Sequence, residues 1–351
     1  MLQPQESRQE KISNFNPDEN GLTSHGIFGL PFTPEESQIV LLPVPWEVTV
    51  SYGTGTADGP KSILEASQQL DLYDPIFPGG WRVGMAMENV SPEWAQNSKN
   101  YREKTNTYLE NYGSESSTNF TVLNELNEAT ENLKSWVSAE SKRLMNEGKI
   151  VGIIGGEHSV PLGYMQTLAE KYESFGILQI DAHADLRIAY EGFLNSHASI
   201  MYNASQIKNI DKIVQVGIRD FSEGENRIAK ESEGRIIMYT DHEIKRSLLE
   251  GMNWRDLADN IISHLPENVY ISYDIDGLQP WLCPNTGTPV PGGFQLEETT
   301  YLLEKLVESG RKIIGFDLCE VSPGEDEWDG NVGARVLYKL CLLAAKSNSL
   351  T

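Results

Sequence analysis

Short apolar runs recur along the chain from residue 149 and alternate with stretches in which apolar residues fall at helical spacing. The runs are IVGIIGG, FGILQID, KIVQVGI, RIIMYT, VYISYDID and KIIGFDL, and helical patterns such as VPLGYMQTLAEKY and WRDLADNIISHL lie between most of them. Strands that are buried on both faces read as continuous apolar runs, and helical crossovers between them imply parallel pairing. The alternation predicts a single-domain, three-layer α/β/α fold, in which helices cover both faces of a mostly parallel, doubly wound sheet.

The first part of the chain is more polar. Residues 1–37 contain several Pro, Asn and Gly residues, and we interpret them as an N-terminal arm that packs late or against a neighbouring subunit. The main domain would then occupy residues 38–351. Its first buried strand is predicted over 39–44, and Pro60 is predicted to begin a helix because proline is favoured in the first helical turn.

Two further segments precede the regular pattern. Residues 91–118 are polar, and we expect them to form an irregular insertion at the surface. Residues 121–147 carry apolar side chains at helical spacing, which predicts a long helix. Neither an internal repeat nor a second domain is evident.

The composition limits the classes of partner. The 351 residues are 39% hydrophobic and 23% charged, as in a folded globular protein. A formal net charge of −23 repels phosphate backbones, so nucleic acid is not expected as a partner. No apolar run approaches the roughly 20 residues that span a bilayer, so no membrane partner is expected either. Three scattered cysteines fit a reducing, cytoplasmic location better than a disulfide framework.

Several of the predicted strands end in carboxylate or imidazole side chains. Parallel strands present their carboxyl ends at one edge of the sheet, where ligand sites lie in open α/β folds. The motifs at these ends include GGEH, DAHAD and DID, in which alternate residues of extended chain face the same side. They supply two imidazoles and four carboxylates: His158, Asp181, His183, Asp185, Asp274 and Asp276.

These six side chains predict a metal site. A single aspartate at a strand end more often caps a helix or forms an ion pair, but three such motifs at three strand ends favour metal binding. Imidazoles combined with carboxylates suit divalent Mn, Fe, Co, Ni or Zn. Six ligands are too many for one catalytic ion and suit two ions that share bridging carboxylates. The residues by themselves do not assign which carboxylates bridge.

Taken in order, GGEHS, DAHAD, SHAS, DIDGLQP, TGTPVPGG and FDLCEVSP resemble the motifs of the ureohydrolase family of arginases and agmatinases. The resemblance covers about residues 38–345, and it is specific because several separated motifs match together. Within the family, DAHADLRIAYEGFLNSHAS is most similar to bacterial agmatinases. The resemblance implies an arginase-like fold and a hydrolase that converts a guanidinium group to urea and an amine.

The resemblance also implies a ligand set for each metal ion. One ion would be held by His158, Asp181, Asp185 and Asp274, and the other by His183, Asp181, Asp274 and Asp276. Asp181 and Asp274 would then bridge the two ions. Mn²⁺ is the expected metal because carboxylate-rich sites suit it, and Ni²⁺ is the alternative.

Further residues take roles from the resemblance. Glu320, in FDLCEVSP, matches the family's guanidinium-binding carboxylate. A carboxylate can accept hydrogen bonds from two N–H groups of a guanidinium at once. His197, in NSHAS, matches the histidine that passes a proton to the departing amine. Asp185 would assist proton transfer as well as bind metal, and Thr288 would orient the guanidinium. In the family, the segment at 51–59 lines the outer pocket.

Arg187 bears on which guanidino compound is bound. Arginases carry an asparagine at this position and recognise an amino-acid head group, so Arg187 favours agmatine, which would give putrescine and urea. Arg187 would repel the terminal ammonium of agmatine unless an acid neutralises it, and Glu191, four residues on, is the candidate. Trp281 is bulkier than the residues usual in the family and would narrow the pocket.

Other functions stay open at this point. The chain could be a ureohydrolase for guanidinobutyrate, guanidine or arginine, or it could act on formiminoglutamate through the same mechanism. A non-catalytic scaffold on the same fold is a more remote alternative. The expected substrate is in every catalytic case a small cationic or amidine-like molecule, and the resemblance implies a homo-oligomer, either a trimer or a hexamer.

Overall fold

A computed structural model describes residues 6–19, 26–51, 53–113 and 117–351 of the chain. In this part of the chain eight strands are formed: β1 (Ile39–Val44), β2 (Met85–Met87), β3 (Ile150–Gly155), β4 (Phe175–Ile180), β5 (Ile210–Ile218), β6 (Ile236–Thr240), β7 (Asn268–Asp274) and β8 (Lys312–Cys319). They pair in parallel as one sheet in the order β2-β1-β3-β8-β7-β4-β5-β6. The predicted parallel sheet is therefore confirmed.

Helices occupy most of the connections. They are α1 (Arg8–Asn14), α2 (Gly59–Ala66), α3 (Pro92–Glu110), α4 (Ser117–Asn146), α5 (Leu162–Lys171), α6 (Ile200–Ser205), α7 (Glu223–Glu231), α8 (Asp241–Leu249), α9 (Trp254–Ser263), α10 (Leu296–Glu308) and α11 (Trp328–Ser347). Short 3₁₀ turns occur at Ile27–Gly29, Thr56–Asp58, Ser67–Gln69, Gly80–Val83, His197–Ser199 and Ile275–Gly277.

Two hydrophobic cores lie on opposite faces of the sheet. Leu41 of β1 points into the core that contains apolar residues of α2, α8, α9, α10 and α11. Its neighbours Val40 and Leu42 point into the core that contains apolar residues of α3, α4, α5 and α6. This alternation follows from the two-residue period of a strand. The three-layer α/β/α arrangement is therefore confirmed.

The segment 91–118 differs from the expected irregular insertion. It contains α3, a 19-residue helix that Ser91 caps and Pro92 begins. The buried face of α3 includes Ser98, Arg102 and Thr105 as well as Trp94 and Tyr108. The prediction failed because polar residues occupy half of a face that is spaced as a helix. Residues 114–116 lie outside the described part of the chain.

The N-terminal segment 1–37 also differs in part from an arm. Residues 1–5 and 20–25 of this expected arm lie outside the described residues. Ile27, Phe28, Leu30 and Phe32 are buried in the core that contains α11. The ring of Phe28 packs edge-on against Tyr338, with 4.9 Å between ring centroids. Residues from 26 onward therefore belong to the packed fold, because the apolar side chains between residues 27 and 32 are buried although the rest of the segment is polar.

The strand order brings the motifs together. β3, β8, β7 and β4 are consecutive in the middle of the sheet. GGEHS follows β3, DAHAD follows β4, DID ends β7, and Glu320 follows β8. Because the strands are parallel, all four motifs meet at the same edge.

Candidate metal centre and substrate pocket

His158 lies at the centre of the first side-chain cluster. Its Nδ1 atom is 3.0 Å from Oδ2 of Asp181, 3.1 Å from Oδ2 of Asp185 and 3.3 Å from Oδ2 of Asp274. All four side chains are almost completely buried. Three carboxylate oxygens around one imidazole nitrogen form a donor set that suits a divalent cation.

A second cluster adjoins the first and shares Asp181 with it. His183 Nδ1 lies 2.9 Å from Oδ2 of Asp276 and 3.7 Å from Oδ1 of Asp181. One oxygen of Asp181 therefore faces His158 and the other faces His183. The structure brings all six predicted ligands together, and Asp181 belongs to both clusters.

Backbone N–H groups hold three of the carboxylates in place. Oδ1 of Asp181 accepts a hydrogen bond from His183 (2.6 Å), Oδ1 of Asp274 accepts one from Asp276 (2.9 Å), and Oδ1 of Asp276 accepts one from Ala182 (3.0 Å). Asp185 differs from these three in its backbone, which has a left-handed φ of 52°. Such a φ is uncommon for a residue other than glycine and often marks a functional site.

The cluster fits two divalent cations. His158 Nδ1 and Asp276 Oδ2 are buried, and the short distances to their neighbours do not have the geometry of a hydrogen bond, so neither atom has a hydrogen-bond partner among the described residues. Unpaired buried polar atoms cost free energy unless another group satisfies them. Four carboxylates in a buried site also repel one another, and two divalent cations would balance their combined charge. The residues present therefore fit a dinuclear centre.

The pKa values of the clustered histidines and aspartates reflect their burial and the closeness of their charges. Burial lowers the pKa of His158, but the adjacent carboxylates of Asp181, Asp185 and Asp274 outweigh it and raise that pKa well above its usual value. Burial likewise lowers the pKa of His183, but Asp276 and Asp181 outweigh it and raise that pKa. Burial and the charge of Asp181 raise the pKa of Asp185 to about 7. Burial, Asp276 and Asp181 raise the pKa of Asp274.

Two residues behind His158 orient its ring, and the sequence reasoning missed both. Nε2 of His158 lies 2.9 Å from Oγ of Ser272 and 3.7 Å from Oδ1 of Asp317. Ser272 on β7 and Asp317 on β8 are register partners. Such outer contacts fix which ring nitrogen faces a metal. Ser272 lies two residues before Asp274, so its position on the same strand face was a usable signal.

Glu320 adopts a left-handed backbone conformation directly after β8. Its φ is 64°, and its Oε1 accepts a hydrogen bond of 2.8 Å from the backbone N–H of His158. Oε2 lies beside Gly287, where an added Cβ would approach it to 3.3 Å. Burial raises the pKa of Glu320 well above its usual value, the N–H of His158 opposes this, and Glu157 adds to it. A buried carboxylate with one open oxygen suits a cationic partner.

A cavity of about 110 Å³ opens beside the clusters. Five of the predicted site residues line it: His183, Asp185, Arg187, His197 and Thr288. Of the segment 51–59, Ser51 lines the cavity, and Tyr52 lies outside the described residues. Trp281 does not line it and is 55% exposed, so the expected narrowing of the pocket by this residue is wrong.

Arg187 pairs with a different acid from the one expected. Its Nε lies 3.7 Å from Oε2 of Glu225, and its guanidinium lies over the ring of Tyr190 at 4.9 Å from the centroid. Glu191 instead accepts a hydrogen bond from Ser51 Oγ (3.2 Å), and its backbone has a φ of 53°. The expected Arg187–Glu191 pair is therefore wrong, because the left-handed turn at Glu191 directs its carboxylate toward the loop after β1.

His197 contacts the same loop. Its Nδ1 and its backbone nitrogen each lie 3.2 Å from Oγ1 of Thr49, and its ring packs edge-on against Tyr190. Burial and the cationic rings of His183 and His158 lower the pKa of His197 to about 3. Thr49 was missed by the sequence reasoning, since a threonine in an irregular loop gives no signal of its own.

Known proteins resemble this chain in sequence and in fold. The sequence model of the arginase family matches residues 37–343. An N(1)-aminopropylagmatine ureohydrolase of Thermus thermophilus is 31% identical over 313 residues, which cover 89% of this chain and 92% of that protein. The agmatinase of Bacillus anthracis is 28% identical over 84% of this chain and 87% of its own length. The crystal structure of agmatine ureohydrolase from Thermoplasma volcanium superposes with a TM-score of 0.69 at 24% identity, covering 91% of this chain and 93% of that one.

Proposed function

The chain belongs to the arginase family of hydrolases that act on guanidino compounds, and on this premise we propose that it is an agmatinase, which converts agmatine to putrescine and urea. The observation that carries the proposal is the pair of clusters that share Asp181 beside a cavity lined by His197 and Thr288. Similarity to agmatinases and to aminopropylagmatine ureohydrolases, both of which act on agmatine-type compounds, supports this choice of substrate.

The family's binuclear centre would be held by the six clustered ligands. His158, Asp181, Asp185 and Asp274 would bind one ion, and Asp181, His183, Asp274 and Asp276 would bind the other. We propose Mn²⁺ as the metal, with Ni²⁺ as the alternative, because carboxylate-rich sites suit Mn²⁺. Bound divalent ions supply a water molecule that is acidic enough to act as a nucleophile near neutral pH.

Residues of the chain bind the substrate and move its protons. The open Oε2 of Glu320 accepts N–H groups of the guanidinium in the space that Gly287 leaves. Thr288 orients the guanidinium from the cavity wall. Asp185 accepts a proton from the attacking water. His197 takes up this proton at its open Nε2 and passes it to the departing amine, so that urea and the amine leave as stable products.

A longer polyamine tail is the second candidate substrate. N1-aminopropylagmatine carries an additional amine, and two acids line the cavity wall beyond the clusters. Glu225 is paired with Arg187, whereas Asp220 has a side chain that is 70% exposed and lies 4.0 Å from His183. Asp220 is therefore placed to receive a cationic tail.

A substrate panel tests the proposed function. Agmatine, N1-aminopropylagmatine, arginine, guanidinobutyrate, guanidine and formiminoglutamate are incubated with enzyme loaded with Mn²⁺ or with Ni²⁺, and the products are separated by chromatography. Preferred turnover of agmatine supports the proposal, and preferred turnover of the aminopropyl compound supports the second candidate. Preferred turnover of any of the others overturns the agmatine assignment. Two bound ions with no turnover of any substrate would point to a guanidino or amidine substrate outside the panel, whereas no bound metal and no turnover would favour the scaffold alternative.

Asp220→Asn is expected to raise the KM for the aminopropyl substrate about twofold to fivefold, while the KM for guanidine stays unchanged. An exposed ion pair contributes up to about 1 kcal/mol, and only the tail would lose it. Initial rates with both compounds measure the effect. Asp211→Asn is the matched control, because it removes the same charge from an exposed aspartate on another part of the sheet. Equal changes in KM for both compounds would contradict a role in tail binding.

Metal loading at pH 7 is expected to release about two or more protons per chain. The pKa values of His158 and His183 are raised in the metal-free protein, so both rings are protonated there, whereas ligation needs neutral imidazoles. Metal affinity should therefore fall as the pH is lowered. Titration calorimetry in two buffers of different ionisation enthalpy counts the protons. Loading without proton release would contradict protonated rings in the metal-free protein.

We further propose a cytoplasmic homo-oligomer, a trimer or a hexamer, that serves polyamine synthesis. The three cysteines are free and buried, which suits a reducing compartment. None of the helices in the described part of the chain has the length and apolar character that a membrane span requires. Analytical ultracentrifugation of the metal-loaded protein tests the assembly, and a monomer at micromolar concentration would contradict it.

A further inference from the structure

Thr49 is a fully buried residue at the junction between the metal cluster and His197. It lies in the loop after β1, next to GGEHS in space. Its backbone N–H donates to Oε2 of Glu157 (2.7 Å), and its hydroxyl donates to Oε1 of the same carboxylate (2.8 Å). Ser159 Oγ donates to Oε1 as well (2.5 Å). Three donors therefore surround Glu157. Burial raises the pKa of this carboxyl to about 7, the donors of Ser159 and Thr49 oppose that rise, and the ionised carboxylate accepts from all three.

With Glu157 ionised, the single proton of the Thr49 hydroxyl is donated to Oε1 of that carboxylate. The Thr49 oxygen can then only accept hydrogen bonds from its other neighbours. Those neighbours are the backbone nitrogen and Nδ1 of His197, both at 3.2 Å. The backbone nitrogen is a donor in any case. For Nδ1 to form its hydrogen bond, it must also carry a proton.

We propose that Thr49 and Glu157 act as positioning residues that hold His197 in the tautomer with its proton on Nδ1, which leaves Nε2 to exchange protons with the substrate. No described residue forms a hydrogen bond to Nε2 of His197, and His197 lines the cavity. The edge-on contact with Tyr190, at 5.8 Å between ring centroids, restrains the ring on another side. The role in proton transfer rests on the proposed function, whereas the tautomer does not.

Helix α3 fastens the loop that carries Thr49. Ser98 Oγ accepts a hydrogen bond of 3.1 Å from the backbone N–H of Glu47, and the guanidinium of Arg102 donates to the carbonyl of Val50. Both side chains lie on the buried polar face of α3. The polar residues of this face thus hold both ends of the short segment between Glu47 and Val50, and with it the hydroxyl of Thr49.

Thr49→Val and Thr49→Ser separate the hydroxyl from the rest of the side chain. Valine keeps the shape but removes both hydrogen-bonding roles, so kcat is expected to fall about tenfold to a hundredfold while KM changes less than about twofold. Serine keeps the hydroxyl and should retain kcat within about threefold. Thr130→Val, which removes a buried hydroxyl bound to Asn127 in α4, is the matched control. Each variant is checked for two bound ions per chain.

Three kinetic results would overturn the proposal. The first is a wild-type kcat in Thr49→Val. The second is an equal loss of kcat in Thr49→Ser and Thr49→Val. The third is a loss of bound metal from Thr49→Val that accounts for its lower rate. The last result would mean that Thr49 supports the strand end at His158 instead of the His197 ring.

A spectroscopic measurement tests the tautomer without any substrate. The protein is labelled with ¹⁵N-histidine, loaded with diamagnetic Zn²⁺ and studied at pH 8 by solid-state NMR, and His197→Asn identifies the resonances of His197. Protonated Nδ1 with unprotonated Nε2 is expected in the wild type. Protonated Nε2 would overturn the proposal even if the enzyme is active, and the expected tautomer would support it even if the substrate assignment fails.

Discussion

Asp181→Asn is expected to lower the rate of hydrolysis by at least about a thousandfold and to leave no more than about one ion per chain. Asp181 is the side chain with one oxygen in each cluster, 3.0 Å from His158 and 3.7 Å from His183. The amide nitrogen of asparagine cannot ligate a metal ion, so one of the two clusters loses a ligand. Loss of an outer contact to a metal ligand already costs about tenfold to a hundredfold, and loss of a shared ligand should cost more.

The neighbours of Asp181 make this substitution harder to accommodate. Gln179 Nε2 donates to Oδ2 of Asp181 at 2.7 Å, and the backbone N–H of His183 donates to Oδ1 at 2.6 Å. Whichever way the asparagine amide turns, its NH₂ group faces a donor. Metal analysis by mass spectrometry and product assays measure the outcome, with Asp211→Asn as the exposed control. A variant that retains two ions and wild-type turnover would refute the shared-ligand assignment.

Glu320→Gln is expected to reduce kcat/KM by about a hundredfold to a thousandfold with both metal ions retained. The backbone N–H of His158 can still donate to the glutamine carbonyl, as it now donates to Oε1. The NH₂ group would then replace Oε2 beside Gly287 and face the N–H groups of the guanidinium. The variant would lose a charge-assisted hydrogen bond to the guanidinium, and two buried donors would be left unpaired. The expected loss of rate is comparable to that caused by removing one stabilising donor from an oxyanion site.

Steady-state kinetics together with metal analysis separate this effect from a loss of ions. Glu325→Gln serves as the control, because it makes the same change at an exposed position of the same loop. If Glu320→Gln lost its metal, the carboxylate would be supporting His158 rather than binding the substrate. Full activity with both ions bound would remove Glu320 from the site.

Local patterns in the chain predicted the main elements well where a buried segment is uniformly apolar. Continuous apolar runs predicted seven of the strands, because six of them are largely buried on both faces and the edge strand β6 is half-buried. The three-residue strand β2 was too short to produce such a run. The helix α3 was missed for the opposite reason, since its buried face is filled partly by Ser98, Arg102 and Thr105.

Residue spacing identified the candidate metal ligands because each motif is local. Asp181, His183 and Asp185 follow β4, and Asp274 and Asp276 stand at the end of β7, so each set reaches the same edge of the sheet although Asp185 has a left-handed φ and Asp276 lies in a 3₁₀ turn. The convergence of the motifs then required only a parallel sheet with these strands in its middle. By contrast, the partner of Arg187 could not be read from its spacing, because the left-handed φ at Glu191 is a property of the folded loop.

The sequence by itself determined the α/β class, the parallel sheet and the six residues that form the candidate metal centre, since all of these follow from local periodicity and strand-end chemistry. Only the tertiary structure decided which side chains from other segments contact the site residues and orient them. Thr49 meets Glu157 across 108 positions of sequence and His197 across 148, and Ser272 meets Asp317 through strand register. Such contacts depend on strand order and loop course, which no local pattern encodes, because they form only when distant segments pack together.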